Sequence, residues 1–216
     1  MKCLVTAGPT WEPLDEVRRL TNFSTGRLGS ELANYLADRG HEVMLLLGAG
    51  ATYGGPWRAL RSEQFTTTAD LRERLERLAS HAIQAVLHTA AVSDFRFGRI
   101  WREAPDGTRT EWRAAKLASS GGAVLAELVP APKLIAELRD WFPRARLVGW
   151  KYELDGNRAL AVERASQQIA ENHTDGCVVN GRAYGPGFGL VTAADQCRHL
   201  AGAAELYAAL ADWLTV

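Results

Sequence analysis

The sequence is short of cysteine, of net charge and of long apolar runs, and each shortage excludes a class of protein. Its three cysteines lie far apart and form no CxxC pair, which argues against a disulfide framework or zinc site and favours a reducing, cytoplasmic location. Lysine plus arginine and aspartate plus glutamate both number 25, so we expect no bulk binding of nucleic acid or of an anionic membrane. No apolar run approaches the roughly 20 residues of a membrane-spanning helix.

Lysine is scarce as well, since only four of the 25 basic residues are lysines, at positions 2, 116, 133 and 151. Arginine supplies the other surface cations. A lysine side chain is a compact, flexible point charge, whereas arginine is a planar fork, so a retained lysine can mark a site that needs an ammonium group. Lys116 precedes the segment Ser119-Ser120-Gly121-Gly122. It is either a solvated surface cation or a residue that closes over a phosphate.

The length of 216 residues fits a single domain over residues 1–216. Apolar patterning predicts strands at 2–6, 42–47, 62–67, 84–91, 146–152 and 176–179, and helices at 26–40, 70–82, 132–142, 157–171 and 203–214. This alternation predicts an α/β fold with a doubly wound, mostly parallel Rossmann-like sheet and helices on both faces. Residues 96–124 lack a steady period and predict a loop or hairpin insertion.

Ligands of an open parallel sheet bind beyond the carboxyl ends of the strands, so the residues that follow each strand are the candidates for chemistry. These are Gly8-Pro9-Thr10, the stretch from Asn22 to Gly29, Ala90-Ala91-Val92-Ser93-Asp94, Gly149-Trp150-Lys151 and Asn180. The glycines at the predicted helix start suit an anion, although Ser24 or Thr25 could simply cap the helix while Gly26 and Gly29 allow close packing. The pattern is neither GxGxxG directly after a strand nor a P-loop.

Taken together, these motifs resemble those of the phosphopantothenoylcysteine synthetase (phosphopantothenate–cysteine ligase) family in its stand-alone form. The matching segments run in order from about residue 2 to residue 180: Gly8-Pro9-Thr10, Asn22-Phe23-Ser24-Thr25-Gly26-Arg27, Ala90-Ala91-Val92-Ser93-Asp94-Phe95, Lys116-Leu117 with Ser119-Ser120-Gly121-Gly122, Gly149-Trp150-Lys151-Tyr152-Glu153 and Val179-Asn180. The resemblance implies ligation of 4′-phosphopantothenate to cysteine in coenzyme A biosynthesis, through an acyl-nucleotide formed from CTP or ATP with Mg²⁺. No flavin is expected, because nothing in the sequence resembles the flavin-dependent decarboxylase to which many bacterial members are fused.

The resemblance also assigns roles to individual residues. Lys116 would neutralise charge on the α-phosphate, and Asn22 would hold the substrate and polarise the acyl carbonyl. The resemblance further implies that Arg18 reaches the substrate phosphate across a homodimer interface. The remaining residues would bind the pantothenate part (Ala90, Ala91 and Asp94) or the nucleotide (Gly8, Ser24, Gly26, Gly29, Trp150, Lys151 and Asn180).

The sequence departs from the family in a few places and leaves two alternatives. After Phe188, the strand-rich end that is usual in the family is expected to be shortened. One alternative is an NAD(P)-binding Rossmann oxidoreductase, but the sequence has neither GxGxxG after the first strand nor a Tyr-xxx-Lys pair. The other is a non-catalytic paralogue that binds a nucleotide, against which the presence of Lys116 and Asn22 argues.

Overall fold

The computed structural model describes residues 1–56, 58, 61–112, 115–118, 120–193 and 196–215. Its helices are α1 (Arg27–Asp38), α2 (Thr68–Leu78), α3 (Leu134–Trp141), α4 (Arg158–Asn172) and α5 (Ala203–Thr215). Its strands are β1 (Lys2–Ala7), β2 (Trp11–Pro13), β3 (Arg19–Thr21), β4 (Glu42–Gly48), β5 (Arg61–Phe65), β6 (Ala85–His88), β7 (Phe95–Glu103), β8 (Arg109–Glu111), β9 (Ala123–Pro130), β10 (Arg146–Tyr152), β11 (Gly176–Asn180), β12 (Phe188–Ala193) and β13 (Gln196–Leu200).

The main sheet has eight strands in the order β13-β12-β11-β10-β6-β1-β4-β5. The six strands from β11 to β5 are parallel, and β12 and β13 add an antiparallel edge. The chain runs outward from β1 to β4 and β5, and then returns to β6 on the other side of β1. The predicted doubly wound sheet is therefore confirmed, with its switch point between β1 and β6.

Helices cover both faces of the sheet, as predicted. On one face, α1 and α5 pack against alternate residues of the central strands, such as Val5 and Leu45. On the other face, α2 and α3 pack against the intervening residues, such as Leu4 and Leu46, and α4 continues this layer over β11. Alternate side chains of a strand point to opposite faces, so these central strands must be apolar throughout. No helix in the described part of the chain is long and apolar enough to cross a membrane.

The predicted insertion is real but is larger and more regular than a loop. Strands β7, β8 and β9 form a separate antiparallel sheet in the order β8-β7-β9. A hydrogen bond from Ala131 N to Asp94 O, at 2.9 Å, closes the base of this insertion. Apolar and charged residues alternate irregularly along β7, which contains a bulge between Phe97 and Ile100, and this irregularity hid the strand from period-based analysis.

One prediction needs correction, and one element was not predicted. The strand-rich end after Phe188 was expected to be shortened, but β12 and β13 form an antiparallel pair there, at the edge of the main sheet. Sequence analysis also missed the short hairpin of β2 and β3, which pairs Trp11 with Thr21 and Pro13 with Arg19. The β2–β3 hairpin is rich in polar residues, and β12 has consecutive apolar residues rather than alternation, so neither hairpin has the regular apolar alternation of a half-buried strand.

Candidate active site at the carboxyl ends of the strands

The carboxyl ends of β1 and β6 meet at the switch point and are joined by backbone hydrogen bonds. Pro9 and Ala91 form an isolated parallel bridge beyond the two strands. Thr10 N donates to Ala91 O at 3.1 Å, and Ala91 N donates to Gly8 O at 3.0 Å. Asn22 Nδ2 donates to the same Ala91 carbonyl at 2.9 Å. The structure thus brings together three of the predicted site residues, Gly8, Asn22 and Ala91, and we call residues 8–10 and 90–93 the crest of the sheet.

Thr10 holds this crest together and received no role in the sequence analysis. Its side chain is fully buried, and its hydroxyl oxygen accepts the N–H of Ser93 at 2.8 Å. Thr68 Oγ1 also donates to Thr10 Oγ1 at 3.3 Å, while Thr10 O accepts from Thr21 Oγ1 at 2.9 Å. Thr10 therefore connects the end of β1 by hydrogen bonds to the residues after β6, to α2 and to the β2–β3 hairpin. Its place after Gly-Pro at a strand end was the only signal in the sequence.

Helix α1 begins beside the crest and has an open amino terminus. Gly26 is its N-cap residue, with φ of 77° and no capping side chain of its own, and Thr25 Oγ1 accepts the N–H of Arg27 at 3.3 Å. Thr67 and Asn157, in contrast, cap α2 and α4 with side-chain hydrogen bonds. Ser24 Oγ accepts the N–H of Gly26 itself, at 3.4 Å. Because the helix dipole and the remaining amides of the first turn favour negative charge, this end of α1 can receive a phosphate.

Two of the predicted glycines are required by close packing around this helix start. Gly8 has φ of +81°, and a Cβ there would lie 3.0 Å from the Cβ of Ala51. A Cβ on Gly29 would lie 2.1 Å from Thr89 Oγ1 and 2.7 Å from Ala7 Cβ. Gly29 therefore lets α1 approach the ends of β1 and β6 closely, whereas Gly8 lets the end of β1 approach the end of β4 and the loop after it. Their predicted role as a cradle for the triphosphate stays a prediction.

Trp150 and Asn180 lie at the carboxyl ends of the neighbouring strands β10 and β11. Trp150 pairs in register with Val178, and Tyr152 pairs with Asn180, so the two side chains share the face that α1 and α5 cover. Trp150 Nε1 and Asn180 Oδ1 are both buried and have no hydrogen-bond partner among the described residues. A buried polar atom without a partner is costly, and a bound ligand or water would satisfy these two atoms.

Lys151 is not brought together with these two residues. It follows Trp150 in the strand and so points to the opposite face, where its Nζ lies 3.9 Å from Glu153 Oε1. Glu153 also pairs with Arg164 of α4. Lys151 and Trp150 are thus neighbours in the motif but not in space, as the alternation of side chains along a strand requires.

The residues predicted to meet the pantothenate part lie at the β6 end of the crest. Ala90 N donates to Thr6 Oγ1 at 3.2 Å, which fixes the backbone of the crest at this point. Asp94 is exposed and begins the connection into β7. Ala90 and Ala91 are half-buried, and Ala90 packs against the core beneath α2 and α3, whereas Asp94 is exposed at the point where the insertion leaves the sheet.

A buried histidine lies directly below the crest. His88 is 6% exposed, and its Nδ1 lies 2.9 Å from Thr6 Oγ1. Burial lowers the pKa of His88 to about 4, because the interior disfavours the charged imidazolium. The side chain is therefore neutral at pH 7, and it serves the packing beneath the crest.

Lys116 and Arg18 lie together in a second group of residues, in the loop between β8 and β9 and the turn between β2 and β3. Lys116 is exposed. Arg18 Nη2 donates to Leu117 O at 2.7 Å and pairs with Asp15 Oδ2 at 2.5 Å. The Arg18 guanidinium, followed by the Leu117 N–H, holds the pKa of the Asp15 carboxyl well below its ordinary value. Of the glycine-serine segment after Lys116, Ser119 lies outside the described residues.

Metal ligands are not gathered at the crest. In the part of the chain that the structure describes, no group of three or more His, Cys, Asp or Glu side chains could hold a metal ion. Mg²⁺ at nucleotide sites is commonly bound by substrate phosphates, water and one or two carboxylates rather than by a protein cage. The exposed carboxylate of Asp94 is compatible with that arrangement.

Comparison with known families gives one extended match. A family model described as the DNA/pantothenate metabolism flavoprotein C-terminal domain matches residues 1–205. A coenzyme A biosynthesis bifunctional protein CoaBC from Thermococcus kodakarensis is 30% identical over 180 residues, which are 83% of this chain and 41% of that protein. The chain thus spans less than half the length of this relative.

Solved structures share the whole architecture. The DNA/pantothenate metabolism flavoprotein from Streptococcus pneumoniae superposes with a TM-score of 0.87 at 25% identity, covering 100% of this chain and 98% of that one. A mutant of Cab2 in complex with phosphopantothenate-cysteine has a TM-score of 0.71 at 18% identity, with 99% and 87% of the two chains covered. The second likeness supports the fold alone.

Proposed function

The chain belongs to the family of DNA/pantothenate metabolism flavoprotein C-terminal domains, and from this premise we propose that it is a phosphopantothenate–cysteine ligase. It would join 4′-phosphopantothenate to cysteine in coenzyme A biosynthesis, with a nucleoside triphosphate, CTP or ATP, as co-substrate. A relative in this family is a coenzyme A biosynthesis protein, and a protein of the same fold was solved with phosphopantothenate-cysteine bound. Both names are compatible with this reaction.

The observation that carries the proposal is the hydrogen bond that holds Asn22 against the crest. One N–H of its Nδ2 donates to Ala91 O at 2.9 Å, which orients the amide. An asparagine amide has two N–H donors, so the second remains to donate to a carbonyl oxygen of a bound substrate. A donor held at the switch point of an α/β sheet suits the polarisation of an acyl group.

In the first step, a carboxylate oxygen of phosphopantothenate attacks the α-phosphorus of the nucleotide. A P–O bond forms, the bond between the α-phosphorus and the bridging oxygen breaks, and pyrophosphate leaves. Attack of one anion on another needs orientation and neutralisation of charge more than it needs covalent help. The open amino terminus of α1 would bind the phosphates, and the Lys116 ammonium group would neutralise the negative charge that develops on the α-phosphate.

In the second step, the cysteine amine attacks the acyl carbonyl carbon of the acyl-nucleotide. A C–N bond forms, the C–O bond to the nucleoside monophosphate breaks, and the amine releases a proton to solvent. The carbonyl oxygen becomes more negative during this attack, and the free N–H of Asn22 would stabilise it. Asn22 would thus serve both steps, whereas Lys116 would serve mainly the first.

Trp150 and Asn180 are proposed to contact the nucleotide base. The indole ring offers a flat surface for stacking, and the unpartnered Nε1 and Oδ1 atoms offer one donor and one acceptor. Lys151 is left out of this base pocket, because it points to the opposite face and pairs with Glu153. Mg²⁺ would bind together with the triphosphate, as its counter-ion. Pyrophosphate release measured with CTP and with ATP determines which nucleotide is used.

A homodimer is proposed to form through the insertion. From the strand register, Phe95, Phe97, Ile100 and Arg102 of β7 share one face with Val124, Ala126 and Leu128 of β9. Phe95, Val124 and Leu128 are 46%, 40% and 50% exposed. An exposed, mainly apolar sheet face of this kind favours a protein interface, and a second copy of the chain offers a self-complementary one.

The dimer proposal has a matched test. Leu128 and Leu154 are 50% and 49% exposed, but only Leu128 lies on the apolar face of the insertion. Leu128→Glu is expected to shift the protein from dimer to monomer in sedimentation velocity, while Leu154→Glu leaves the dimer intact. A monomeric unchanged protein, or dimers in both variants, would remove this interface from the proposal. The reach of Arg18 across the dimer depends on the same result.

The ligase activity itself is tested by pyrophosphate release. The unchanged protein should release pyrophosphate from CTP or ATP only when phosphopantothenate and Mg²⁺ are present, and should form the amide when cysteine is added. Running the two nucleotides side by side also gives the base preference. No release with either nucleotide would reject the ligase and leave a non-catalytic nucleotide-binding protein. A single domain over residues 1–216 and a cytoplasmic location remain predictions.

A further inference from the structure

Three hydrogen bonds join the turn between β2 and β3 to the residues on either side of Lys116. Glu16 N donates to Ala115 O at 3.1 Å. Leu117 N donates to Asp15 Oδ2 at 3.0 Å, and Arg18 Nη2 donates to Leu117 O at 2.7 Å. The bonded pairs are about a hundred positions apart in the sequence, so these contacts are tertiary and fix the backbone before and after Lys116.

Asp15 is the centre of this junction. Its side chain is 2% exposed although it lies at the protein surface. Oδ1 accepts the N–H groups of Val17 and Arg18 at 2.9 and 2.7 Å. Oδ2 accepts from Arg18 Nε at 3.0 Å and from Leu117 N at 3.0 Å. A carboxylate with this many donors is held in one orientation, and it holds its donors in turn.

Lys116 has no such support of its own. Its side chain is exposed, and it makes no hydrogen bond or ion pair with any other described residue. The turn holds the backbone on both sides of Lys116 through hydrogen bonds to Ala115 and Leu117. This backbone therefore determines the direction in which the Lys116 side chain leaves it. A long side chain on a fixed backbone loses less freedom on binding a phosphate than one on a free loop.

We propose that Asp15 is a positioning residue for Lys116, which it holds at the nucleotide through Leu117 and Arg18. This inference rests on the proposed ligase function. Asp15 touches neither substrate in this account and acts only through the segment that carries the lysine. The turn is also attached to the crest, because Thr21 of the same hairpin donates to Thr10 O at 2.9 Å. The β2–β3 hairpin therefore connects the segment that carries Asn22 to the segment that carries Lys116.

Asp15→Asn tests the contact directly. The remaining carboxamide oxygen can still accept the N–H groups of Val17 and Arg18, so the turn is preserved. The new amide nitrogen cannot accept from Leu117 and cannot pair with the Arg18 guanidinium. Hydrogen exchange at Leu117 and trypsin cleavage after Lys116 should both become about tenfold faster or more, while exchange in β1 and β6 stays unchanged. Unchanged exchange and cleavage would overturn the proposal, and this readout does not depend on activity.

Asp106→Asn is the matched control. Asp106 likewise accepts a turn N–H, that of Thr108 at 2.9 Å, but it lies between β7 and β8, away from Lys116. This variant should leave exchange at Leu117 and activity unchanged. Should Asp15→Asn fail to fold by circular dichroism, Asp15→Glu, which keeps the charge and shifts the carboxylate by one methylene, replaces it in both readouts.

A double-mutant cycle separates positioning from a general structural effect. Asp15→Asn is expected to lower kcat by about 10- to 100-fold, because small misplacements of a catalytic group have effects of this size, with less change in KM for the nucleotide. In a Lys116→Gln background the same change should alter kcat less than about twofold. Losses that multiply would show that Asp15 acts independently of Lys116. If the unchanged protein is inactive, the ligase proposal fails. Hydrogen exchange at Leu117 still tests whether Asp15 holds the segment that carries Lys116.

Discussion

The crest and the Lys116 segment show two different ways of holding a functional group. The crest is part of the main sheet, and backbone hydrogen bonds between Gly8, Thr10 and Ala91 fix it from within. The Lys116 segment belongs to the insertion and is fixed mainly by the side chains of Asp15 and Arg18. In the proposed mechanism, the group that orients the substrate, Asn22, is thus hydrogen-bonded to the crest, while the charge proposed to act during phosphoryl attack lies on a segment that a few side-chain contacts hold.

The largest effect is expected when the Lys116 charge is removed. Lys116→Gln should lower kcat by about 10³-fold, the size seen when one group that stabilises developing charge is lost. The unfolding free energy should stay within about 0.5 kcal/mol of the original, because the side chain is exposed. Steady-state pyrophosphate release and urea unfolding measure the two quantities.

Lys2→Gln is the control for this change, since Lys2 is also partly exposed but lies at the amino end of β1, where it pairs with Glu42 at 3.5 Å. It should retain the original kcat. Equal losses of kcat in both variants would mean that the overall positive charge of the protein, and not the specific lysine of the insertion, supports turnover.

The second effect is a loss of stability caused by the protonation of His88, the buried histidine below the crest. The unfolded chain binds a proton at this residue near pH 6.5, but the folded protein does so only near pH 4. The unfolded state therefore binds more protons between these values, so stability should fall as the pH drops from 6.5 to 4, by up to about 3 kcal/mol.

Urea unfolding of the unchanged protein and of His88→Gln at pH 7 and pH 4.5 isolates this contribution. The variant should lose much less stability over the interval, and His81→Gln, at an exposed histidine, should behave like the unchanged protein. Identical pH slopes in all three proteins would contradict a neutral His88 beneath the crest.

A third effect, of smaller size, concerns the junction within the crest. Thr10→Val removes the hydroxyl that accepts from Ser93 N at 2.8 Å and leaves a buried N–H without a partner. The expected cost is about 1–3 kcal/mol of unfolding free energy, measured by urea unfolding. Thr110→Val, at an exposed position of β8, should cost less than about 0.5 kcal/mol. A neutral Thr10→Val would show that the crest does not depend on this side chain.

The smallest effect tests the boundary of the site. Lys151→Gln should change kcat and KM for the nucleotide less than about twofold, because Lys151 faces away from Trp150 and pairs with Glu153 at 3.9 Å. Asn180→Ala, which removes an unpartnered buried oxygen, should raise KM for the nucleotide instead. A strong effect of Lys151→Gln on KM would return this residue to the nucleotide site.

The sequence predicted the parallel core well for a physical reason. Strands buried on both faces are continuously apolar, as in the run from Val43 to Leu47, and helices such as α1 repeat leucine at helical spacing. The glycine-rich helix start and the small residues after β6 were also recognisable, because a close approach of backbone segments demands small side chains.

The sequence could not reveal features that depend on contacts between distant residues. Asp15 Oδ2 accepts the N–H of Leu117, 102 positions away, and no local sequence pattern indicates that contact. The β12–β13 edge was missed because its strands alternate weakly and follow a glycine-rich segment around Gly185 and Gly187. The opposite directions of Trp150 and Lys151 were available from strand alternation, but only once the strand was considered in three dimensions.

The central claim is that a carboxylate becomes reactive by attachment to a nucleotide, and oxygen isotope transfer tests it most directly. Phosphopantothenate labelled with ¹⁸O in both carboxylate oxygens is converted with cysteine, Mg²⁺ and CTP or ATP. The account predicts one ¹⁸O atom in the nucleoside monophosphate and the other in the amide product. Label in inorganic phosphate, or amide formation with no label in the monophosphate, would contradict the acyl-nucleotide and the role that Lys116 and Asn22 are given in it.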